Sequence, residues 1–370
     1  MRKISVFYDG SHYIYRWLKP LFAARKEFKQ HGYIIEYPIA IQYLPIIKKG
    51  ERLNIEKMQH GKYDVVFLAF HHSTSYLCNC PESERANILG KIKNHCKMLV
   101  WLDTADSTGC GMFDVMPYVD LYLKKQLLKD KSIYTRNIYG ARLFCEYYHN
   151  KLKIDDKQLN RIYPTLDAKY FNKLGVSWNV GMGDIFAKGY HLLLTPYKCT
   201  QPHLTSPDSP VKRLDLHFRG SGWSKIAGYQ RSLCKELVNG LKDISHPDVN
   251  SKIPYKEYAA EIQSARMVIS PFGWGEICTR DFEAFVNGAT LIKPDMSHCE
   301  TWPNVYIENK TYMPLDWDFN NFRAILDEYS VNPGKFQAIA KNGQELYMLY
   351  RSSKKAKDLF VKHILSFLER

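Results

Sequence analysis

Short apolar runs alternate with helical stretches along the first half of the chain. Lys3–Tyr8, Asp64–Phe70 and Lys97–Leu102 are β-rich runs, and each is followed by a loop rich in Asp, His, Ser or Gly. Continuous apolar runs of this length are typical of strands covered on both faces. The alternation predicts βαβ units around a parallel sheet, with further strands at Tyr33–Tyr37 and Val119–Leu123.

A second α/β set follows a proline-rich segment. Residues 195–212 contain four prolines and no apolar periodicity, which favours an interdomain linker. The predicted strands beyond it are Arg213–Phe218, Met267–Ser270 and Ala289–Lys293. The predicted helices are Ala227–Leu241, Tyr255–Ala265 and Glu276–Asn287, which Gly288 ends. After Asp318, two helical patterns are predicted, the last over Gly334–Arg370 with a break near Ser352 and Ser353.

The chain length of 370 residues exceeds what a single hydrophobic core usually supports. We therefore expect two domains, at residues 1–200 and 201–370. In open parallel sheets, ligands bind outside the carboxyl ends of the strands. The polar loops that follow the first-half strands should accordingly form one side of a cleft.

Composition and charge exclude several classes of protein. With 45% hydrophobic and 24% charged residues, the chain can form a core, and it has no apolar run long enough to span a bilayer. The start lacks an apolar signal segment, and the nine cysteines are scattered, so we expect a cytoplasmic protein with reduced thiols. The net charge of +14 favours an anionic partner, although no nucleic-acid-binding signature is present.

The segment from Ile269 to Pro294 is the richest in chemistry. A predicted strand leads through the loop Gly273-Trp274-Gly275 into a helix start, where free N–H groups and the helix dipole favour a bound phosphate. The spacing of Glu276, Arg280 and Glu283 predicts that all three lie on one face of that helix.

These residues resemble the GT-B superfamily of nucleotide-sugar glycosyltransferases. The resemblance is to exostosin-like, CgeB-like and bacterial family-1-like transferases, and the run Lys293–Pro303 resembles that of bacterial glycosyltransferases encoded with surface-polysaccharide genes. It is carried by Ser270, Pro271, Gly273, Arg280, Glu283, Ala284 and Gly288. It implies two Rossmann-like domains that face each other across a cleft, with the donor in the C-terminal domain and the C-terminal helix returning to the first. It also implies that Glu283 binds the nucleotide ribose, with the glycine loop near the diphosphate.

A second part of the resemblance lies in the loop after the first strand of this domain. Many retaining members place an Arg and a Lys there on the diphosphate, and Arg219 and Lys225 stand at a comparable spacing. Two exposed loop cations are the alternative interpretation. Fixed cations can stabilise a leaving diphosphate without a metal, so we expect no metal ion and no cofactor. The predicted donor-binding residues are Arg219, Gly220, Gly222, Lys225, Gly273, Trp274, Gly275, Thr279, Arg280 and Glu283.

The catalytic group is less sharply indicated. Retaining members have one more residue between their two glutamates than separates Glu276 from Glu283, so the stereochemical outcome stays open. Glu276 either contacts the sugar ring or favours the helix start through its charge. An inverting reaction needs a general base from the first domain, for which Asp103 and Asp9 are the first choices. The other candidates at that edge are His12, His71, His72 and Asp106. Each aspartate could instead be a helix cap or a loop-stabilising residue.

The sequence thus predicts a metal-independent, cytoplasmic glycosyltransferase of hexosyl or pentosyl type. Its partners would be a nucleotide-sugar donor and a glycan or lipid-linked glycan of lipopolysaccharide or capsule synthesis, and no nucleic acid. Peripheral contact with the anionic inner membrane face would suit the positive charge. A nucleotide-sugar epimerase on the same scaffold and a non-enzymatic polyanion-binding protein are the alternatives.

Overall fold

The structure is a computed structural model of the 370-residue chain. It describes residues 1–36, 55–56, 58–156, 159, 163–187, 198–220, 222 and 224–370. Tyr37 of the second predicted strand, residues 195–197 of the predicted linker, and Ser221 and Trp223 of the Arg219–Lys225 loop lie outside these ranges.

The first half forms a parallel sheet with the strand order β2-β1-β3-β4-β5-β7. The strands of this half are β1 (Arg2–Tyr8), β2 (Tyr33–Glu36), β3 (Tyr63–Ala69), β4 (Cys96–Asp103), β5 (Leu121–Lys124), β6 (Gln126–Leu128) and β7 (Leu174–Val176). The central residues of β1, β3 and β4 are buried, as the continuous apolar runs predict, whereas β2 is buried only at Tyr33. The helices are α1 (His12–Ala23), α2 (Arg25–Gln30), α3 (Tyr76–Asn79), α4 (Glu82–Lys93) and α5 (Leu143–Leu152).

The second half forms a smaller parallel sheet with the order β12-β10-β9-β8. Its strands are β8 (Leu214–His217), β9 (Ala265–Ile269), β10 (Thr290–Pro294) and β12 (Met313–Leu315), with β11 (Cys299–Thr301) outside the sheet. The helices are α6 (Tyr229–Asn239), α7 (Tyr255–Ser264), α8 (Thr279–Val286), α9 (Phe322–Val331), α10 (Pro333–Arg351) and α11 (Ala356–Leu368). The predicted α/β fold with two parallel sheets is confirmed, while the domain boundary at residue 200 stays a prediction.

Two features connect the halves. Strand β11 pairs antiparallel with β6, with Glu300 opposite Leu127. The C-terminal helix α11 packs into the core of the first sheet through Phe360, Ile364 and Phe367. The expected return of the last helix to the first half is therefore confirmed, as is the break between α10 and α11.

Helix α8 begins later than the sequence predicts. The predicted helix starts at Glu276, whereas α8 starts at Thr279, because Cys278 and Asp281 cap it reciprocally. Glu276 therefore precedes the helix, and the prediction that it shares a helix face with Arg280 and Glu283 is wrong. The predicted end at Gly288 is confirmed, since this glycine has a φ of 61°.

Candidate active site at the facing sheet edges

The glycine loop after β9 rests on a buried polar network. Asp281 accepts hydrogen bonds from the hydroxyls of Ser270 at 2.5 Å and Tyr306 at 2.7 Å, and it forms an ion pair with Lys293 at 3.0 Å. Both charged side chains of this pair are fully buried. The network joins the end of β9 to the start of α8, so it fixes the geometry of the loop between them.

Arg219 lies at the end of β8 and is already paired. Its Nε and Nη2 donate to the two carboxylate oxygens of Glu261 at 2.6 and 2.7 Å. This bidentate contact compensates the charge of Arg219 within the protein. Lys225, its predicted companion, is exposed and forms no hydrogen bond or ion pair with the described residues.

Arg280 lies in the first turn of α8 and is only partly satisfied. Its Nη2 donates to the backbone oxygen of Arg219, and its guanidinium lies 5.7 Å from the ring centre of Phe218. Its Nε and Nη1 are buried and have no hydrogen-bond acceptor among the described residues. Burial lowers the pKa of Arg280, but neighbouring Tyr258, Cys278 and Glu283 raise it by more, so the guanidinium stays charged.

Arg231 of α6 lies beside two glycine loops, the one after β8 that contains Gly220 and the one after β9 that contains Gly273. A Cβ atom on Gly273 would lie 2.7 Å from Arg231 Nη2, and one on Gly220 would lie 3.8 Å from Arg231 Cδ. The Nε of Arg231 donates to the backbone oxygen of Phe272 at 3.2 Å. The absence of a side chain at Gly273 therefore allows the guanidinium to lie against the loop.

Glu283 lies further along α8 and contacts α7. Its Oε2 accepts a hydrogen bond from the Tyr258 hydroxyl at 2.6 Å. Burial and the neighbouring Glu283 raise the pKa of Tyr258 above its usual range, although Arg280 opposes the shift. Thr279 is exposed at the start of the same helix, and Gly222 is exposed in the loop after β8.

His217 ends β8 beneath this cluster. The ring is fully buried, and neither nitrogen has a hydrogen-bond partner among the described residues, although Nε2 lies 3.4 Å from Glu261 Oε2. Burial, assisted by the charges of Arg280 and Arg219, lowers the pKa of His217 to about 4. The imidazole is therefore neutral at physiological pH.

The glycine loop touches the loop that follows β4 of the first sheet. A Cβ atom on Gly275 would lie 1.8 Å from the backbone oxygen of Asp106, so only glycine fits there. Glu276 is fully buried and accepts hydrogen bonds from Ser107 Oγ at 3.2 Å and from Thr108 Oγ1 at 2.7 Å and N at 2.9 Å. Its contacts thus join the halves.

Trp274 is the exposed member of this loop. Its side chain is 54% exposed. The backbone oxygen of Trp274 accepts a hydrogen bond from Arg142 Nε at 2.7 Å, and the Arg142 guanidinium lies 5.6 Å from the centre of the indole ring. A planar ring at the surface beside a glycine loop can stack on a flat ligand.

Asp103 and Asp9, the two aspartates that the sequence favours as catalytic groups, are buried. Each accepts hydrogen bonds from neighbouring groups of the protein. Asp103 accepts hydrogen bonds from Tyr122 at 2.6 Å and Lys124 at 3.1 Å, its register partner on β5. Asp9 accepts from the backbone N–H groups of Ser11 at 2.9 Å and His71 at 2.8 Å. The two residues are 2% and 3% exposed.

Asp106 lies at the same edge and is accessible. Its side chain is 45% exposed, and Oδ1 accepts hydrogen bonds from Lys125 at 2.6 Å and Tyr13 at 3.1 Å. Burial in the cleft raises the pKa of Asp106, but Lys125 and Tyr13 lower it by more. Asp106 is therefore a carboxylate that stays ionised near neutral pH.

The structure brings most of the predicted donor-binding residues to one sheet edge and adds three that the sequence did not suggest. Arg231, Tyr258 and His217 contact Gly273, Glu283 and Glu261, respectively. Arg231 and Tyr258 lie inside helices with no motif around them. His217 ends a predicted strand, which is the one signal that could have marked it.

The described ranges contain neither a metal-ligand cluster nor a membrane-crossing helix. No group of three or more His, Cys, Asp or Glu side chains is arranged there to hold a metal ion. No helix in those ranges combines the length and apolarity that a bilayer crossing needs.

Comparison with known proteins gives similarity in structure but not in sequence. No family model and no curated protein sequence matches the chain. MnaA of S. aureus, solved with UDP, is 11% identical, with a TM-score of 0.46 over 100% of this chain and 97% of that one. HepE of Anabaena, solved with UDP and glucose, is 10% identical, with a TM-score of 0.44 over 100% and 99%.

A third solved structure is an alpha-glucosyltransferase with UDP and a 13-mer DNA. It is 10% identical to this chain and covers 100% of both chains with a TM-score of 0.46.

Proposed function

We propose that this protein is a glycosyltransferase that uses a nucleotide-activated sugar. The observation that carries the proposal is the Arg280 guanidinium, whose buried Nε and Nη1 have no acceptor among the described residues. An uncompensated buried cation is costly, and a bound anion would relieve that cost. Arg280 lies at a helix start and at the carboxyl edge of a parallel sheet, where nucleotide phosphates bind in many α/β proteins.

The reaction is a displacement at the anomeric carbon of the donor sugar. The acceptor hydroxyl oxygen forms a bond to this carbon, while the bond from the carbon to the diphosphate oxygen breaks. The nucleoside diphosphate leaves with the electron pair, and the hydroxyl releases its proton. Fixed cations near the diphosphate stabilise the charge that develops on the leaving group.

On the donor side, Glu283 is proposed to hold the ribose. Its carboxylate is partly exposed and uses Oε2 to accept from Tyr258, which fixes the orientation of the side chain. Carboxylate oxygens accept hydrogen bonds from both ribose hydroxyls in a bidentate manner. Trp274, which is 54% exposed, is proposed to stack on the base or the sugar.

On the acceptor side, the carboxylate of Asp106 is proposed to contact the acceptor hydroxyl. Among the first-sheet aspartates considered above, Asp103 and Asp9 are almost fully buried, whereas the Asp106 side chain is 45% exposed. Its backbone contacts Gly275 of the donor loop, so the side chain lies beside the proposed donor site. The acceptor class is proposed to be a glycan or lipid-linked glycan of surface-polysaccharide synthesis. The charge of +14 would favour such an acceptor at an anionic membrane face.

A thermal-shift titration with a panel of nucleoside mono- and diphosphates tests the proposal. The panel includes UDP, which the three solved structures named above contain. A ligand that binds only the native state at about 100 times its Kd stabilises that state by about 2.7 kcal/mol. We expect one diphosphate to raise the Tm, and Glu283→Gln to reduce the shift while the exposed control Glu308→Gln leaves it unchanged.

The same titration separates the alternatives. If no nucleotide raises the Tm and heparin binds in a salt-dependent way, the polyanion-binding alternative replaces the transferase. Once the nucleotide is known, sugar derivatives of it are tested with and without glycan acceptors. Donor conversion that needs no acceptor would favour an epimerase, whereas strict acceptor dependence would support transfer.

A further inference from the structure

Two arginines approach the same short loop after β8 from different helices. Arg280 of α8 donates to the backbone oxygen of Arg219, directly before Gly220. Arg231 of α6 passes within 3.8 Å of the Cβ position of Gly220 and ends against Gly273. Both guanidinium groups also lie close enough to affect the thiol of Cys278. Burial raises the pKa of this thiol, and the neighbouring cations, including these two arginines, lower it. The two side chains therefore converge on one small volume.

Neither arginine has a carboxylate partner within the part of the chain that the structure describes. Arg280 and Arg231 each bond to a single backbone oxygen, of Arg219 and Phe272 respectively. Two other buried cations of the chain do have carboxylate partners. Lys124 and Lys293, which are fully buried, each form an ion pair with an aspartate. The described residues thus supply neither Arg231 nor Arg280 with an ion-pair partner.

Arg219 differs from these two arginines. Glu261 binds both its Nε and Nη2, and the backbone oxygen of Ser251 accepts a hydrogen bond from Nη1 at 2.7 Å. All three guanidinium nitrogens of Arg219 are therefore engaged. A phosphate would have to displace Glu261 to reach Nε and Nη2 of this side chain.

We propose that Arg231 and Arg280 bind the diphosphate of the donor, in place of the Arg219 and Lys225 pair that the sequence suggests. The assignment rests on the proposed function and names the residues that carry it out. Arg280 offers Nε and Nη1, and Arg231 offers its terminal nitrogens, so each can bind phosphate oxygens in a bidentate manner. Arg219 acts as a positioning residue, because its backbone oxygen holds Arg280 and Glu261 fixes its side chain.

Calorimetric titration with inorganic pyrophosphate and with UDP tests this assignment. The variants are Arg231→Met and Arg280→Met, with Arg219→Met for comparison and Arg323→Met as the control. Arg323 is exposed and pairs with Asp243 and Asp327 away from the glycine loops. Loss of a charged hydrogen-bonding group is expected to weaken pyrophosphate binding by about 10- to 100-fold at Arg231 and at Arg280. The effect at Arg219 should be smaller, and Arg323→Met should bind as the wild type does.

Arg231→Lys separates bidentate binding from charge alone. Lysine keeps the positive charge but presents a single ammonium group, so it should restore binding only in part. Thermal unfolding without ligand shows whether each variant is folded. If Arg219→Met abolishes pyrophosphate binding while Arg231→Met and Arg280→Met retain it, the assignment is overturned and the proposed function stands. If neither pyrophosphate nor any nucleotide binds the wild type, the proposed function fails together with the assignment.

Discussion

The carboxyl edges of the two parallel sheets differ in whether a buried charged side chain has an ion-pair partner. At the first edge, Asp103 is buried against Lys124 and Tyr122, which both lie on the neighbouring strand β5. At the second edge, Arg280 is buried with two N–H groups unsatisfied, and Arg231 lies against a glycine loop with no carboxylate partner among the described residues. The buried charge at the first edge is thus paired, whereas these two arginines at the second edge are not, although Lys293 and Arg219 beside them are.

This difference separates structural charges from binding charges. A buried pair whose partners are both present holds neighbouring strands in place, and removal of either partner leaves a charge without compensation. A buried cation without an ion-pair partner does not stabilise the fold in this way, and it gains a partner only when an anion binds. Asp103, which sequence reasoning favours as catalytic, belongs to a pair of the first kind. The arginines at the glycine loops have no such partner among the described residues and are the ones proposed above to bind the donor.

The largest effect is expected at the first edge. Lys124→Met leaves Asp103 buried without its cation, so the free energy of unfolding should fall by about 3–5 kcal/mol. Urea unfolding measures this loss. The matched control is Lys97→Met, which removes a 78%-exposed lysine from its pair with Asp64 and should cost less than about 1 kcal/mol. Equal losses in both variants would contradict the distinction between the edges.

His217 provides a pH test of the second edge. Its folded pKa of about 4 lies below the ordinary value of 6.5, so the native state resists protonation of the ring. Stability from the neutral ring is complete above pH 6.5 and is lost as the pH falls from 6.5 to about 4, by up to about 3 kcal/mol. Urea unfolding at several pH values should show a steeper acid loss in the wild type than in His217→Phe.

The exposed His203 supplies the control for this pH test. His203→Gln should follow the wild-type dependence of unfolding free energy on pH, because an exposed imidazole is solvated in both states. If His217→Phe also follows the wild type, the ring is protonated in the folded protein. The buried, neutral imidazole described at the end of β8 would then be incorrect.

Gly275→Ala probes the contact between the two edges. The new Cβ would meet the backbone oxygen of Asp106 at 1.8 Å, so the loops must separate, at a cost of about 1–3 kcal/mol. The control is Gly90→Ala in helix α4, where no atom lies within 4 Å of the Cβ position. That change should stabilise the protein by about 0.5–1 kcal/mol, since alanine favours a helix interior. Differential scanning calorimetry measures both, and a neutral Gly275→Ala would show that the loops do not touch.

The smallest stability effect is expected at Arg280. Without ligand, Arg280→Met removes an uncompensated buried charge and keeps much of the packing on Phe218, so the free energy of unfolding should change by less than about 1 kcal/mol. Urea unfolding measures the change beside that of Lys124→Met. A loss as large as that of Lys124→Met would show that Arg280 has an internal partner and would place it with the structural charges.

The strands were predictable because each is a continuous apolar run that ends in polar residues. The ends of β4 and β8, at Asp103 and His217, agree with the sequence pattern within one residue. The start of α8 was not predictable from spacing, because the cap formed by Cys278 and Asp281 excludes Glu276 from the helix. A helical pattern alone carries no information about which residue turns away to bind Ser107 and Thr108.

The site was predictable in its location but not in its individual roles. The glycine loop and Arg280 were recognisable from their order along the chain. The partner of Arg219 was not, since Glu261 is 42 residues away and meets it only through packing of α7 on β8. Likewise, Arg231 acquires its significance from the space that Gly273 leaves open. Such contacts depend on tertiary structure and leave no local pattern in the sequence.

A crystal structure of the protein with the nucleoside diphosphate that raises its Tm tests the assignment of Arg231 and Arg280. We expect the diphosphate oxygens to lie about 3 Å from the guanidinium nitrogens of Arg231 and Arg280, and the ribose hydroxyls to lie at Glu283. Arg219 should keep its contact with Glu261. A diphosphate bound instead to Arg219 and Lys225, or at another place on the chain, would show that Arg231 and Arg280 do not form the diphosphate site.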